Sequence, residues 1–287
     1  MTRPSNSPNR FRILAMDVDG TLLDSQGTLR PRTAEAVALA ARAGIRPVLC
    51  TGRRYRRARP IALQLGVDAP IVCNSGALVK DPATHATLWR ADLDAELLAE
   101  ALAVFRERDE PLISFTDRRP DDYDFIVAHE ATGRPLFDDY LAQNQGLGEV
   151  RPDWAEDSGS GPHFHLCAIG TRPNMLDFEV AVVARLGLRV RTFVQKSPRY
   201  VGTMCEVLHR DASKWSAILH LAALWGVDPA EICAVGDDMN DVPMLTGAGL
   251  GVAMGHAPPA VLAAADLVTY DHDADGVARL VEDVLLA

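Results

Sequence analysis

The 287-residue chain, 48% apolar and 24% charged, can bury a sizeable core in one large or two modest domains. Its 29 basic against 39 acidic residues give a formal net charge of -10, which disfavours nonspecific attraction to nucleic acid or to an anionic membrane, so an anionic substrate needs a local positive site. No run approaches the ~20 apolar residues of a membrane span, and the leading MTRPSNSPNR carries no apolar signal region; a cytoplasmic protein is expected.

From residue 11 the chain alternates short apolar runs with helical patterns: FRILAM, TAEAVALAARAG, IRPVLC, a helix ending LQLG, then APIVC. That is β-α-β-α-β, the grammar of crossover connections in a parallel sheet, with Gly44 and Gly66 expected as helix C-caps. After a helix around 92–108 the grammar changes. LISFTD, YDFIVA, FHLCAIG, LRVRTFVQ and YVGTMCEVL are strand-like, with one further long helical pattern near 173–186, which predicts a mostly antiparallel sheet. The segment DSGSGP, 157–162, reads as a loop. Alternation then resumes with helix KWSAILHLAALWG, strand EICAVG, short helix DVPMLTGA, strand GLGVAM and final helix DGVARLVEDVLL. The expected fold is α/β: a Rossmann-like parallel-sheet core from residues 1–83 and 211–287, interrupted by an inserted α+β domain at 84–210.

The five cysteines, Cys50, Cys73, Cys167, Cys205 and Cys233, are odd in number, far apart and without a C-x-x-C pair, so they read as reduced, buried small hydrophobes. His163 and His165 share a strand face, but with no third ligand nearby they read as ordinary sheet residues. DHDADGVARLVE, 271–282, matches the EF-hand loop expression; the apolar stripe Val277, Leu280, Val281, Val284, Leu285 instead makes its second half a helix, with the aspartates capping its start.

Four clusters fall at strand ends, where an open α/β sheet places its site: MDVDGT, CTGRR, SKW and GDDMND. In the first, a strand alternating sides would bring Asp17 and Asp19 out together, and two adjacent carboxylates repel unless a proton or a cation intervenes. Thr51 and Gly52 offer a hydroxyl and amides to an anion, and Lys214 a positive charge. RRYRRAR, 53–59, sets five arginines at a helix start, opposed to the macrodipole; either an anion compensates or they form a solvated face, Arg53 being the best placed for a substrate.

In this order the clusters resemble those of the haloacid dehalogenase-like hydrolases, specifically the Cof-type phosphatases with an α/β (C2B-type) cap. The resemblance runs from about Phe11 to the C-terminus, and is strongest in both core halves. It implies Mg2+-dependent hydrolysis of a phosphomonoester, a small phosphorylated metabolite with a sugar phosphate the expected substrate, through an aspartyl-phosphate. Asp17 would be nucleophile and metal ligand. Asp19 would bind metal through its backbone carbonyl, while its side chain protonates the leaving group and then activates water. Asp237 would complete the metal site with support from Asp241, and Thr51, Gly52, Arg53, Lys214 and Asn240 would receive the phosphate. The family's Asn-Gly-Ala appears as Asn74-Ser75-Gly76-Ala77, with Ser75 standing in the place of Asn. Phosphohexomutase is an alternative reading; a noncatalytic phosphosugar-sensing protein is another, against which the presence of all four acidic and basic residues, Asp17, Asp19, Lys214 and Asp237, weighs.

Overall fold

The computed structural model describes residues 10–66, 68–117, 123–152, 163–196 and 200–287; the expected 157–162 loop lies outside them. In chain order the elements are β1 (Ile13–Met16), α1 (Pro31–Arg42), β2 (Arg46–Leu49), α2 (Tyr55–Leu65), β3 (Ile71–Cys73), β4 (Leu78–Lys80), β5 (Thr87–Arg90), α3 (Ala95–Glu107), β6 (Ile113–Phe115), β7 (Phe125–Val127), α4 (Pro135–Gln143) and β8 (Gly148–Val150). They continue through β9 (His165–Gly170), α5 (Arg172–Leu186), β10 (Val190–Lys196), β11 (Thr203–His209), α6 (Lys214–Trp225), β12 (Ile232–Gly236), α7 (Val242–Gly247), β13 (Leu250–Ala253), α8 (Pro259–Leu262), β14 (Leu267–Val268) and α9 (Gly276–Leu280). The chain forms two compact units. One runs to Gly76, takes in Lys80–Thr84 and resumes over Lys214–Ala287; the other comprises Ala77–Val79 and His85–Ser213.

In the first unit a parallel sheet has the order β14-β13-β12-β1-β2. Its central strands are apolar throughout and buried along their whole length, as strands covered on both faces must be. Met16 of β1 stands in register with Val235 of β12 on one side and Leu49 of β2 on the other, and the Cys50–Val72 bridge carries the parallel order on towards β3. From β1 the chain moves first to one side and later returns on the other, so β1 is the topological switch point of the sheet. Helix α1 turns Thr33, Ala36, Val37 and Ala40 inward at helical spacing. Gly44 and Gly66 take positive φ after α1 and α2. Helix α2 runs unbroken through Pro60. Asp275, expected to cap α9, makes no cap hydrogen bond; its carboxylate lies 2.7 Å from the Arg30 guanidinium instead.

The second unit holds a six-stranded sheet in the order β10-β11-β9-β6-β7-β8, antiparallel except for the β7–β8 pair. Leu97, Ala101, Phe105, Met175, Phe178 and Val182 of α3 and α5 pack on its Leu166, Ala168, Cys205 and Val207. Asp94 caps α3 by accepting from the Leu97 amide at 2.9 Å. A second, nine-residue helix, α4, joins the expected α5; its short amphipathic repeat buries only Phe137 and Tyr140, too few to announce a helix. All five cysteines are free and buried. Among the described residues no helix is long and apolar enough to cross a membrane.

Candidate active site

Neighbouring parallel strands β12, β1 and β2 end level with one another, and their C-terminal extensions carry the acidic and hydroxyl side chains. Asp17 directly follows β1, its amide donating to Val235 O at 3.0 Å; Asp237 directly follows β12; Thr51, two residues past β2, donates its amide to Val72 O at 2.9 Å. Strand geometry stops at Met16, one residue before Asp17, and Asp19 lies close enough to raise the Asp17 carboxyl. A turn closes at Val18, whose carbonyl accepts from the Leu22 and Leu23 amides. The two carboxylates therefore meet different partners. Asp17 is buried against Lys214, whereas Asp19, 28% exposed, is gripped at both oxygens by Arg53 (Nε–Oδ2 2.7 Å, Nη2–Oδ1 2.5 Å).

Lys214 opens α6, where the macrodipole disfavours a cation, and is only 1% exposed. Two carboxylates hold it there: Nζ donates to Asp17 Oδ1 at 2.5 Å and to Asp241 Oδ1 at 2.6 Å. Burial alone would lower the ammonium, but Asp17 and Asp241 outweigh it and raise it above the ordinary lysine value. Burial pushes the Asp17 carboxyl well above the ordinary range; Lys214 opposes that, while Asp241, Asp237 and Asp19 add to it. The Asp241 carboxyl is raised in the same sense, again first by burial.

Asp241 also shapes the loop. Its Oδ2 accepts from the Asp237 and Asp238 amides, both at 3.0 Å, and Asp238 caps the turn by accepting from Met239 N at 2.7 Å. Both Asp241 oxygens are thus committed within the protein. Gly236 makes room for it, since a Cβ there would stand 2.4 Å from Asp241 Cγ. Gly20 does likewise for Asp237: at φ +85° a Cβ would fall 2.4 Å from Asp237 Oδ2. Thr21 Oγ1 donates to Asp237 Oδ1 at 2.6 Å, a contact the MDVDGT cluster held in plain sight without announcing.

Asp17, Asp237 and Asp241 can each present an oxygen within 4.8 Å of the others. Three carboxylates stand against one ammonium, which bonds to only two of them, and every donor is oxygen, so the set suits a hard divalent cation such as Mg2+, which would offset the uncompensated charge. Thr51 is buried, its hydroxyl accepting from Arg53 N at 3.0 Å. Asn240, also buried, sits in the same turn as Asp241. Asn74, Ser75 and Gly76 all take positive φ, a sharp turn sewn to the Thr51–Arg53 segment by Asn74 N to Arg53 O (3.0 Å) and Ser75 N to Thr51 O (3.1 Å). His256, which the sequence reading left unmarked, brings Nε2 to 3.8 Å from Asp237 Oδ2, and that carboxylate raises its imidazole above the ordinary value.

Taken over its length, the chain is similar to known proteins. The sequence profile of the haloacid dehalogenase-like hydrolases matches residues 14–281. The pyridoxal phosphate phosphatase YbhA of Escherichia coli is 26% identical over 283 residues, covering 96% of this chain and 99% of the relative. The HMP-PP phosphatase of Yersinia pestis is 29% identical over 258 residues, covering 87% and 85%. Among solved structures, a haloacid dehalogenase-like hydrolase from Bacillus subtilis superposes with a TM-score of 0.78 at 23% identity, covering 96% of this chain and all of its own. The subclass IIB sugar phosphatase BT4131 superposes at 0.75 and 21%, covering 95% and 98%. With a profile spanning nearly its whole length and a shared fold, the chain belongs to the haloacid dehalogenase-like hydrolases and is an enzyme of that family.

Proposed function

We propose that the chain hydrolyses a phosphomonoester of a small metabolite, with Asp17 as nucleophile. The observation that carries this reading is the buried Asp17–Lys214–Asp241 chain of contacts with Asp237 alongside, at the switch point of the sheet. Asp17 and Asp237 would hold Mg2+. Bound there, the cation would shield a dianionic phosphate from the attacking carboxylate. Asp241, with both oxygens engaged, serves chiefly to hold Lys214 and the turn. Lys214 fixes the Asp17 carboxylate and faces the incoming phosphate with a positive charge. The Asp17 oxygen attacks phosphorus, the bond to the ester oxygen breaks, and Asp19 supplies the proton that the departing alkoxide needs. Asp19 then takes a proton from the water that attacks the phosphorus of the aspartyl-phosphate, releasing inorganic phosphate and restoring Asp17. Arg53 holds Asp19 without substrate; an arriving phosphate competes for the guanidinium and frees Asp19 to take up a proton from solvent or from the monoprotonated phosphate, the proton it then gives to the leaving group. The Thr51 hydroxyl, the Gly52 amide and Asn240 complete the phosphate cradle.

The second unit contributes no residue to this scheme, and substrate choice is assigned to it as an inserted cap. The substrate class is a sugar phosphate or another small phosphorylated alcohol, the latter including the pyridoxal phosphate named for the Escherichia coli relative. A screen of phosphate release across sugar phosphates and phosphorylated heteroaromatic alcohols, with the chelator-stripped chain and with Mg2+ restored, tests the reading. Release that needs Mg2+ and is lost in Asp17→Asn is expected; release undiminished after verified metal removal contradicts it. A second test isolates Asp19. In single turnovers Asp19→Ala should slow sugar-phosphate cleavage by about 100-fold or more and nitrophenyl phosphate far less, because nitrophenolate leaves without a proton. Equal slowing of both substrates would remove Asp19 as the leaving-group acid.

A further inference from the structure

We propose that His256, His272 and Asp271 form a second metal site, for a divalent transition metal such as Zn2+, beside the carboxylate site and distinct from it. Among the described residues these three make up the other group able to converge on one ion, with one donor atom each within 4.8 Å of the others. The two histidines come from loops after adjacent parallel strands, β13 and β14, and the loops are tied by Gly255 N donating to Tyr270 O at 3.3 Å. His272 Nδ1 stands 3.1 Å from both ring nitrogens of His256, and the rings meet edge to face with centroids 4.2 Å apart. Two imidazole nitrogens each about 2.1 Å from a shared metal are separated by roughly this distance or slightly more. Asp271 Oδ1 lies 3.9 Å from the same His272 nitrogen and supplies the third donor.

Carboxylates also stand at the histidines' other nitrogens. His272 Nε2 is 3.8 Å from Asp273 Oδ1, and His256 Nε2 is 3.8 Å from Asp237 Oδ2. At 3.8 Å these are charge contacts rather than hydrogen bonds; they place carboxylates near the second nitrogens, where metal-binding histidines commonly have one. Asp273 is itself anchored, accepting from the Ser25 amide at 2.9 Å. The side chains of His256 and His272 are 27% and 15% exposed, so an ion can enter from solvent. Two nitrogens and one carboxylate oxygen favour Zn2+, Co2+ or a similar ion, in contrast to the all-oxygen set at Asp17 and Asp237 that suits Mg2+. The same segment matched the EF-hand expression, yet Asp275 is turned to Arg30 and the chain becomes helical at Gly276, so the donors are two histidines with Asp271 and not an all-oxygen loop. Because His256 also neighbours Asp237, a bound transition metal is expected to change the Mg2+-dependent rate, a consequence that rests on the reading of the previous section.

The test uses Co2+ as a visible probe on the full chain, stripped by chelator and then saturated with Mg2+. One equivalent of Co2+ should give saturable visible bands that Zn2+ displaces, retained in Asp17→Asn and weakened by about ten-fold or more in affinity in His272→Gln. His256→Gln should behave as His272→Gln does and replaces it should the latter not fold. Absence of a saturable band, bands unchanged in the histidine variants, or bands lost only in Asp17→Asn would each overturn the site. Phosphate release with Mg2+ alone, measured on the same samples, should be retained by His272→Gln. That readout separates failure of the second metal site from failure of the phosphatase reading.

Discussion

At the scale of single residues, the site depends on carboxylates whose cost is met by specific neighbours. Asp241 accepts from Lys214 and from two backbone amides, so Asp241→Ala would strand a buried ammonium with one partner and leave two N–H groups unpaired. Breaking such a buried pair should lower stability by about 3–5 kcal/mol, read as a fall in denaturant midpoint. A loss below about 1 kcal/mol would place Asp241 outside the structural role assigned to it. Gly20 is a second point of dependence. At φ +85°, with a Cβ aimed 2.4 Å from Asp237 Oδ2, Gly20→Ala should displace Asp237, raising the Mg2+ requirement and lowering kcat in a chain that still folds. Unchanged Mg2+ dependence in the folded variant would show that Asp237 does not need that space. The residue types of the site were legible because carboxylates, a threonine and a lysine recur at strand ends. Their partnerships were not: Arg53 to Asp19 and Thr21 to Asp237 span 34 and 216 positions, and His256 meets Asp237 across loops whose approach only the sheet order determines.

Among the elements, long periodic segments declared themselves and short ones did not. Helices α1, α3, α5 and α6, with strands β1, β2, β12 and β13 of the parallel sheet, follow from apolar period and length. The two-residue β14 and four-residue α8 lack a repeat, and α4 buries only two side chains. The β7–β8 pair is parallel within an otherwise antiparallel sheet because α4 intervenes between the two strands. Strand β9 also carries a pH liability. Burial lowers the His165 imidazole to about 3, with Glu206 Oε1 standing 3.7 Å away. The unfolded chain binds a proton near the ordinary value of about 6.5 and the folded one does not. This contribution to stability is therefore fully present above that value and is lost as pH falls, by about 2 kcal/mol at roughly pH 5. His165→Leu should flatten that part of the decline in denaturant midpoint between neutral and mildly acidic pH. An identical slope in variant and parent would show that His165 is charged in the folded chain.

For the whole molecule, a negatively charged chain needs local positive charge to attract an anionic substrate. Lys214 and Arg53 supply two cations beside the strand ends, but Asp17, Asp19, Asp237 and Asp241 outnumber them, so the proposed divalent cation is what would make the site attractive to phosphate. The α/β class followed from the alternation of elements, and the interrupted grammar between 84 and 210 came from successive strands with few helices. Substrate choice was not legible, because it depends on side chains whose spacing carries no catalytic signature. The central claim, that Asp17 becomes covalently phosphorylated, can be read directly. Asp19→Ala, stripped of its water-activating carboxylate, should accumulate the intermediate when mixed with phosphorus-labelled nitrophenyl phosphate, Mg2+ present, and quenched in acid. Borohydride reduction of the quenched chain, followed by peptide mass analysis, should convert position 17 alone to homoserine, with label and conversion both absent from the Asp17→Asn, Asp19→Ala double variant. Label that never becomes bound to the chain during turnover, or a modification at any other residue, would contradict Asp17 as the nucleophile.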